Sequence, residues 1–114
     1  MSKISVVMAL YNTPFEYLQK TVESILNQTF QDFEFIIIDD ASTLEYKEFF
    51  EQFNDERIKY FKLEKNSGPG VARNEGIKKA TGEYVAIVDS DDVYLPKRLE
   101  AQAHFFDKNP DISL

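Results

Sequence analysis

The sequence has no cysteine among its 114 residues and only four glycines and four prolines. The missing cysteines exclude disulfide bonds, zinc–thiolate centres and thiol catalysis. The low glycine and proline content, together with 43% hydrophobic residues, is typical of a globular chain rather than a disordered one. No apolar run approaches the roughly 20 residues that a membrane-spanning helix needs.

The apolar run ISVVMAL after Lys3 resembles a signal peptide only superficially. It is at the lower limit of length for such a segment, and no small-residue cleavage site follows it. We therefore expect a cytoplasmic protein, or one attached to a membrane through regions outside this chain.

Positive charge is also scarce, since 13 basic residues face 20 acidic ones and give a formal net charge of −7. This balance argues against a nucleic-acid backbone or an anionic membrane surface as the main partner. It suits a site that holds a cation, although a solvated acidic surface produces the same balance.

Four strand-like runs alternate with four helix-like ones, and the length fits a single domain over residues 1–114. The predicted strands are Ile4–Leu10, Phe33–Asp39, Ile58–Leu63 and Glu83–Asp89. The predicted helices cover residues 14–28, 44–53 and 71–80, with a fourth starting at Pro96. Such alternation predicts an α/β fold in three layers, α/β/α, with a mostly parallel sheet. Because the third strand carries Lys59 and Lys62, we place it at an edge and predict the strand order 3-2-1-4.

Apolar periodicity supports the first and fourth predicted helices, and capping patterns support the starts of the first and second. Leu18, Val22, Ile25 and Leu26 form one amphipathic stripe, and Leu99, Ala103 and Phe106 form another. Thr13-Pro14-Phe15-Glu16 predicts a capping box at the start of the first helix. Ser42-Thr43-Leu44-Glu45 predicts a similar start for the second.

Polar residues follow all four predicted strands, and three carboxylates, Asp89, Asp91 and Asp92, follow the fourth. In open parallel sheets, loops at the carboxyl ends of the strands converge on one crevice near the point where the winding direction reverses. A turn gains nothing from three aspartates, whose mutual repulsion costs about 1 to 4 kcal/mol per close pair. A hard cation such as Mg²⁺ or Mn²⁺, held by one or two carboxylates and by substrate phosphates, would offset that repulsion.

Simpler interpretations remain open for the other polar residues. Asp39 and Asp40 are also suited to capping the next helix. An aromatic residue such as Tyr11 more often packs in the core than stacks on a base, and the glycines of NSGPG are compatible with a plain turn. An arginine on a helix, such as Arg73, is usually a solvated charge or an ion-pair partner.

At these loops the chain resembles the N-terminal half of family 2 glycosyltransferases with the Rossmann-like GT-A fold. The resemblance rests on ISVVMALYN, SILNQTFQDFEFIIIDDAST and NSGPGVARNEGIKKATGEYVAIVDSDDVYLP, in this order. It implies inverting, metal-dependent transfer of a sugar from a nucleotide-diphosphate sugar, typically a UDP-sugar, to an acceptor hydroxyl. Ala41 departs from the family pattern, which usually has glycine at that position.

The resemblance also implies roles for individual residues. Ala9 and Tyr11 would line the base pocket, Asp40 would bind the base, and Arg73 would lie near the nucleotide. Asp89 and Asp91 would hold the ribose and diphosphate and are nucleotide-binding candidates. Asp91 and Asp92 would hold the Mn²⁺ or Mg²⁺ ion and are the metal-binding candidates. Asp39, by contrast, is expected to act mainly in stability.

The family's acceptor-binding half, with its catalytic base, has no counterpart before Leu114. We therefore expect a donor-binding half whose saccharide or lipid-linked acceptor is bound elsewhere, with no catalytic residue in this part. The fourth strand would then be an open edge able to form a homodimer. Two alternatives remain: a non-catalytic nucleotide-sugar-binding module, and a metal-dependent phosphotransfer domain, which would want an acidic nucleophile on the first strand.

Overall fold

The computed structural model describes residues 2–108, in which four strands and four helices alternate. The strands are β1 (Ile4–Leu10), β2 (Phe33–Asp39), β3 (Ile58–Lys62) and β4 (Tyr84–Val88). The helices are α1 (Phe15–Leu26), α2 (Lys47–Glu51), α3 (Pro69–Lys79) and α4 (Arg98–Lys108). The predicted α/β class is confirmed, and each strand lies within one residue of its predicted bounds.

All four strands run parallel in the order β3-β2-β1-β4, as predicted. The central strand β2 is buried over its whole length, which explains its almost uninterrupted apolar run. The strand β3 is an edge and is mostly exposed, in agreement with its two lysines. The strand β4 is the other edge of the described sheet, and its pairing with a second chain stays a prediction.

Helices cover both faces of the sheet and complete the predicted three layers. Helices α1, α2 and α4 pack on one face, where the stripe residues Leu18, Val22, Ile25, Leu99 and Ala103 are buried with the aromatic rings of α2. Among the described helices, α3 alone covers the other face, through Ala72 and Gly76. A Cβ at Gly76 would lie 2.4 Å from Cγ1 of Val7, so this close approach of helix and strand requires glycine.

Both predicted capping boxes are wrong. No side-chain hydrogen bond caps α1 or α2, and Pro14 rather than Thr13 occupies the N-cap position of α1. The hydroxyl groups of Thr13 and Ser42 bond to other loops instead. Helix α2 is consequently shorter than predicted, whereas α3 starts two residues earlier, at Pro69. The local sequence matches the capping pattern, but the hydroxyl groups of Thr13 and Ser42 form hydrogen bonds with residues distant in sequence instead.

One buried carboxylate ties the strands together near the amino end of the sheet. Glu34 on β2 accepts hydrogen bonds from Ser5 Oγ (2.6 Å), from the Lys59 ammonium (2.7 Å) and from both the amide and hydroxyl of Thr81. Burial raises the pKa of Glu34, but the hydrogen bonds from Lys59, Ser5 and Thr81 outweigh it and lower that pKa to about 2.

Within residues 2–108, no helix has the length and apolarity to cross a membrane.

Candidate functional site

Hydrogen bonds join the loops that follow β1 and β2 at the carboxyl end of the sheet. Asn12 donates its backbone N–H to Ser42 Oγ at 2.9 Å. Its side-chain oxygen accepts the backbone N–H groups of Thr43 and Leu44 at 2.9 and 3.2 Å. Asn12 and Ala41 both have positive φ, 50° and 60°, in the left-handed region. The two loops are therefore held in fixed, sharply turned conformations.

Asp40 joins the β2 loop to the start of α3. It is 3% exposed, and its two carboxylate oxygens accept the backbone N–H groups of Ser67 (2.7 Å) and Gly68 (2.9 Å). A carboxylate has about four lone-pair positions, so these two bonds leave capacity for a ligand N–H. The structure therefore gives Asp40 a structural role that sequence reasoning missed, in addition to the predicted contact with a base.

The neighbouring Asp39 is fully buried and points into the protein. Its carboxylate accepts the backbone N–H of Ser42 at 2.9 Å and the hydroxyl of Tyr60. Burial and the nearby Asp39 raise the pKa of Tyr60, and they raise the pKa of Tyr46 to about 12, so both phenols remain protonated donors. The hydrogen bond from Ser42 closes a local turn of the kind that Asp and Asn side chains favour. The Asp39 side chain is not accessible to solvent.

The residues that follow β4 form an irregular connection, which we call the acidic segment (residues 89–97). Asp89, Asp91 and Asp92 are all exposed in it, and their carboxylates accept no hydrogen bond and form no ion pair with any residue from 2 to 108. In that range no three His, Cys, Asp or Glu side chains gather closely enough to hold a metal ion by themselves. Unpaired aspartates still fit a cation that takes only one or two protein carboxylates and completes its shell with phosphates and water.

The other predicted site residues lie at the same end of the sheet. Ala9 pairs with Ile38 near the end of β1, and Tyr11, just beyond it, is 53% exposed rather than packed in the core. Arg73 is exposed on α3, where it makes no hydrogen bond or ion pair with any described residue. The structure thus leaves both long side chains, Tyr11 and Arg73, accessible to a ligand.

Two polar residues that sequence reasoning missed hold the acidic segment in place. Thr13 bonds to Ser90, between the first two aspartates, and Gln28 bonds to the carbonyl of Leu95. Gln28 had a signal in the sequence, since it lies three residues after Ile25 on the buried face of α1, where a polar residue is unexpected. Thr13 had none, because the capping pattern accounted for it fully.

A groove of about 710 Å³ lies elsewhere, between α2 and the edge strand β3. Its lining residues include Lys47, Phe50, Glu51, Tyr60 and Lys62. None of the predicted site residues contributes to it. Because it mixes charges of both signs along an open edge, it gives no indication of a particular ligand.

The family description Glycosyl transferase family 2 matches residues 5–114. An uncharacterized glycosyltransferase of Methanocaldococcus jannaschii is 46% identical over an alignment 114 residues long, and this alignment covers 97% of this chain and 39% of that protein. The chain therefore spans well under half the length of this relative.

Solved structures agree with the fold. S. aureus TarS 1-349 in complex with UDP-GlcNAc superimposes with a TM-score of 0.85 at 36% identity, over 93% of this chain and 31% of that one. The mannosyltransferase PcManGT of Pyrobaculum calidifontis, in complex with GDP-Man and Mn²⁺, gives a TM-score of 0.81 at 21% identity, over 91% and 32% of the two chains. At that identity, the second likeness concerns the fold alone.

Proposed function

The chain belongs to glycosyl transferase family 2, and we propose that it binds the nucleotide-diphosphate sugar donor of an inverting, metal-dependent sugar transfer. The acceptor is a hydroxyl group, and the donor is a UDP-sugar. The observation that carries this proposal is the set of exposed, unpaired carboxylates of Asp89, Asp91 and Asp92 at the carboxyl end of β4.

The proposed roles follow the sequence and the geometry together. Asp91 and Asp92 hold Mn²⁺ or Mg²⁺, which neutralises the diphosphate and stabilises it as the leaving group. Asp89 and Asp91 contact the ribose and the diphosphate. These side chains fit this role because no residue from 2 to 108 supplies them with a cationic partner.

The base is proposed to lie against Ala9 and Tyr11, with its N–H accepted by Asp40 and with Arg73 near the nucleotide. Uridine is favoured because TarS, the 36% identical structure, is in complex with UDP-GlcNAc. The alternative of a phosphotransfer domain has no support, since Leu10 at the end of β1 and the next residues, Tyr11 and Asn12, include no acidic nucleophile.

Titration calorimetry with UDP, in Mn²⁺ and then in EDTA, tests metal dependence. We expect binding in Mn²⁺ and much weaker binding in EDTA, because the exposed aspartates repel a bare diphosphate. Equal affinities under the two conditions would contradict the proposal. Sugar transfer to an acceptor is a separate measurement, and donor binding without any transfer in the whole protein would favour the non-catalytic alternative.

The base assignment is tested by comparing UDP, GDP and ADP on the Asp40→Ala and Asp39→Ala variants. Asp40→Ala should weaken UDP binding and reduce the preference among bases, since alanine cannot accept the base N–H. Both variants also lose structural hydrogen bonds, so the unfolding free energy of each is measured in parallel. Loss of base preference in Asp39→Ala, with preference intact in Asp40→Ala, would reverse the two assignments.

A further inference from the structure

The acidic segment contains no helix or strand, so contacts with other parts of the chain determine its path: packing of Tyr94 against the core, and hydrogen bonds. Within residues 2–108, the hydrogen bonds that it makes beyond itself and α4 all go to residues 13–29, which are α1 and its two flanks. No other described element bonds to it. Beyond its covalent connection to β4 and the packing of Tyr94, the segment is therefore held by hydrogen bonds to α1 and its flanks.

At the start of α1, Thr13 contacts the acidic part of the segment directly. Its hydroxyl lies 2.5 Å from the hydroxyl of Ser90, which separates Asp89 from Asp91. Thr13 is 7% exposed, and the ladder between β1 and β4 ends earlier, at Met8 and Val88. The pair of hydroxyl groups is thus the connection between the β1 loop and the acidic segment beyond the end of the sheet.

At the end of α1, Gln28 fastens the other end of the segment. Its side-chain N–H groups donate to the carbonyl oxygens of Leu95 (2.7 Å) and Ser24 (3.1 Å). Its side-chain oxygen accepts the backbone N–H of Leu99 at 3.0 Å, in the first turn of α4. Gln28 is 2% exposed, and it satisfies an amide that α4 cannot satisfy itself. Thr29 N–H and Ser24 Oγ add bonds to the segment at Pro96 and Tyr94.

The hydroxyl of Tyr94 completes the arrangement within the segment. It accepts the backbone N–H of Asp89 at 2.7 Å, while the backbone N–H of Tyr94 donates to Ser24 on α1. The first aspartate is therefore linked to α1 by two routes, through Ser90 and through Tyr94. None of these bonds uses a carboxylate oxygen, so all the aspartate oxygens stay available.

We propose that Thr13 and Gln28 are positioning residues, which hold the acidic segment on α1 so that its carboxylates are set for a divalent cation and a diphosphate. This inference rests on the proposed function. The competing explanation is that the two side chains merely stabilise the fold, as buried hydrogen-bonded groups do in general.

Matched valine variants separate the two explanations. Thr13→Val removes the hydroxyl that contacts Ser90, whereas Thr21→Val removes a buried hydroxyl that bonds within α1, to the carbonyl of Tyr17. Mn²⁺ binding in the presence of UDP is measured by electron paramagnetic resonance of the free ion. We expect Thr13→Val to weaken Mn²⁺ binding about five- to tenfold, as loss of one neutral hydrogen bond implies. Thr21→Val should leave that affinity unchanged, and Thr13→Ser should restore it.

Gln28→Met gives a second test on the same readout, with Gln31→Met as its control. Gln31 bonds to Arg57 and to the backbone carbonyls of Leu26 and Gln28, and it makes no bond to the acidic segment. We expect weaker Mn²⁺ binding in Gln28→Met only. If Gln28→Met does not fold, the comparison of Thr13→Val with Thr21→Val is sufficient to test the proposal. Equal Mn²⁺ affinities in Thr13→Val and Thr21→Val would overturn the proposal.

A wild-type protein that binds no Mn²⁺ with UDP would contradict the proposed function rather than the positioning. The positioning is then judged by hydrogen exchange at the Asp89 amide, which bonds to Tyr94. Faster exchange there in Thr13→Val than in Thr21→Val supports the placement of the segment by α1. The same exchange rate in both variants overturns it.

Discussion

Two groups of aspartates follow apolar strands of the same sheet, yet the protein surrounds them in opposite ways. Asp39 and Asp40, at the end of β2, are buried, and four protein N–H or O–H groups donate to their carboxylates. Asp89, Asp91 and Asp92, after β4, are exposed, and no described N–H or O–H group donates to their carboxylates. The first pair is satisfied by the chain, and the second group is left to solvent or to a ligand.

The difference comes from the position of the two strands in the sheet. The strand β2 lies between β1 and β3, and the donors to Asp39 and Asp40 come from its own loop, from β3 and from the loop after β3. A buried carboxylate without such donors would cost several kcal/mol. The strand β4 is an edge of the described sheet, so its carboxylates reach solvent and need no protein donor. Saturated carboxylates hold loops together, whereas unsaturated ones are available for a cation.

The largest expected effect concerns the exposed group. Asp91→Asn and Asp92→Asn should each lower UDP affinity in Mn²⁺ by about 100-fold, because a few kcal/mol of metal-mediated attraction to the diphosphate is lost. Asp32→Asn, an exposed aspartate at the opposite end of the sheet, is the matched control and should change nothing. Titration calorimetry measures the affinities. If both Asp91→Asn and Asp92→Asn kept the full increase of UDP affinity that Mn²⁺ gives the wild type, the exposed aspartates would not bind the metal. The contrast between the buried and the exposed aspartates would then have no functional meaning.

The buried pair should show the opposite behaviour, a loss of stability. Asp39→Ala should lower the unfolding free energy by about 3 kcal/mol, since it leaves the Ser42 N–H and the Tyr60 hydroxyl without their acceptor. Urea unfolding followed by circular dichroism measures this. Asp91→Ala, measured in the same way without metal, should stay within about 0.5 kcal/mol of wild type, as exposed substitutions usually do. Similar losses for both variants would show that the exposed aspartates also have structural partners.

Glu34, the saturated carboxylate at the amino end, predicts a pH dependence. Because its folded pKa, about 2, lies below the unfolded value of 4.5, the charged form stabilises the fold above pH 4.5. This stabilisation is lost as the pH falls towards 2, for a total of about 2 to 3 kcal/mol. Urea unfolding between pH 6 and 2 measures it, and Glu34→Gln should flatten this part of the profile. An unchanged slope in Glu34→Gln would show that other groups cause the acid sensitivity.

Periodicity and composition were sufficient to predict the fold. The apolar runs of β1 and β2 and the stripe of α1 predicted buried elements, and the two lysines of β3 predicted an edge. These features are local, and burial acts on each of them separately. The loops at the carboxyl end were predicted to converge for the same reason, because parallel strands bring their ends together. The family resemblance was confirmed by the match over residues 5–114.

The polar contacts of the loops could not be predicted in the same way. The hydroxyl of Thr13 finds its partner 77 residues away, and Asp40 receives its donors from 27 and 28 residues away. A local pattern such as the capping box states only what a side chain is able to do. Which partner prevails depends on tertiary geometry, and so both capping predictions failed while the helices themselves formed.

The smallest expected effect lies in the turn that makes the buried pair possible. Ala41, between Asp40 and Ser42, has a φ of 60°, a left-handed conformation that costs an alanine about 1 to 2 kcal/mol. Glycine avoids this cost but loses more entropy on folding, so Ala41→Gly should raise the unfolding free energy by about 0.5 to 1 kcal/mol. Ala101→Gly, at an exposed position inside α4, is the control and should lower it by about 1 kcal/mol. Opposite signs of the two changes in urea unfolding support a strained turn at Ala41, because the same substitution is made in both. A loss of stability in both variants would mean that the turn stores no strain and that the buried aspartates are held at no backbone cost.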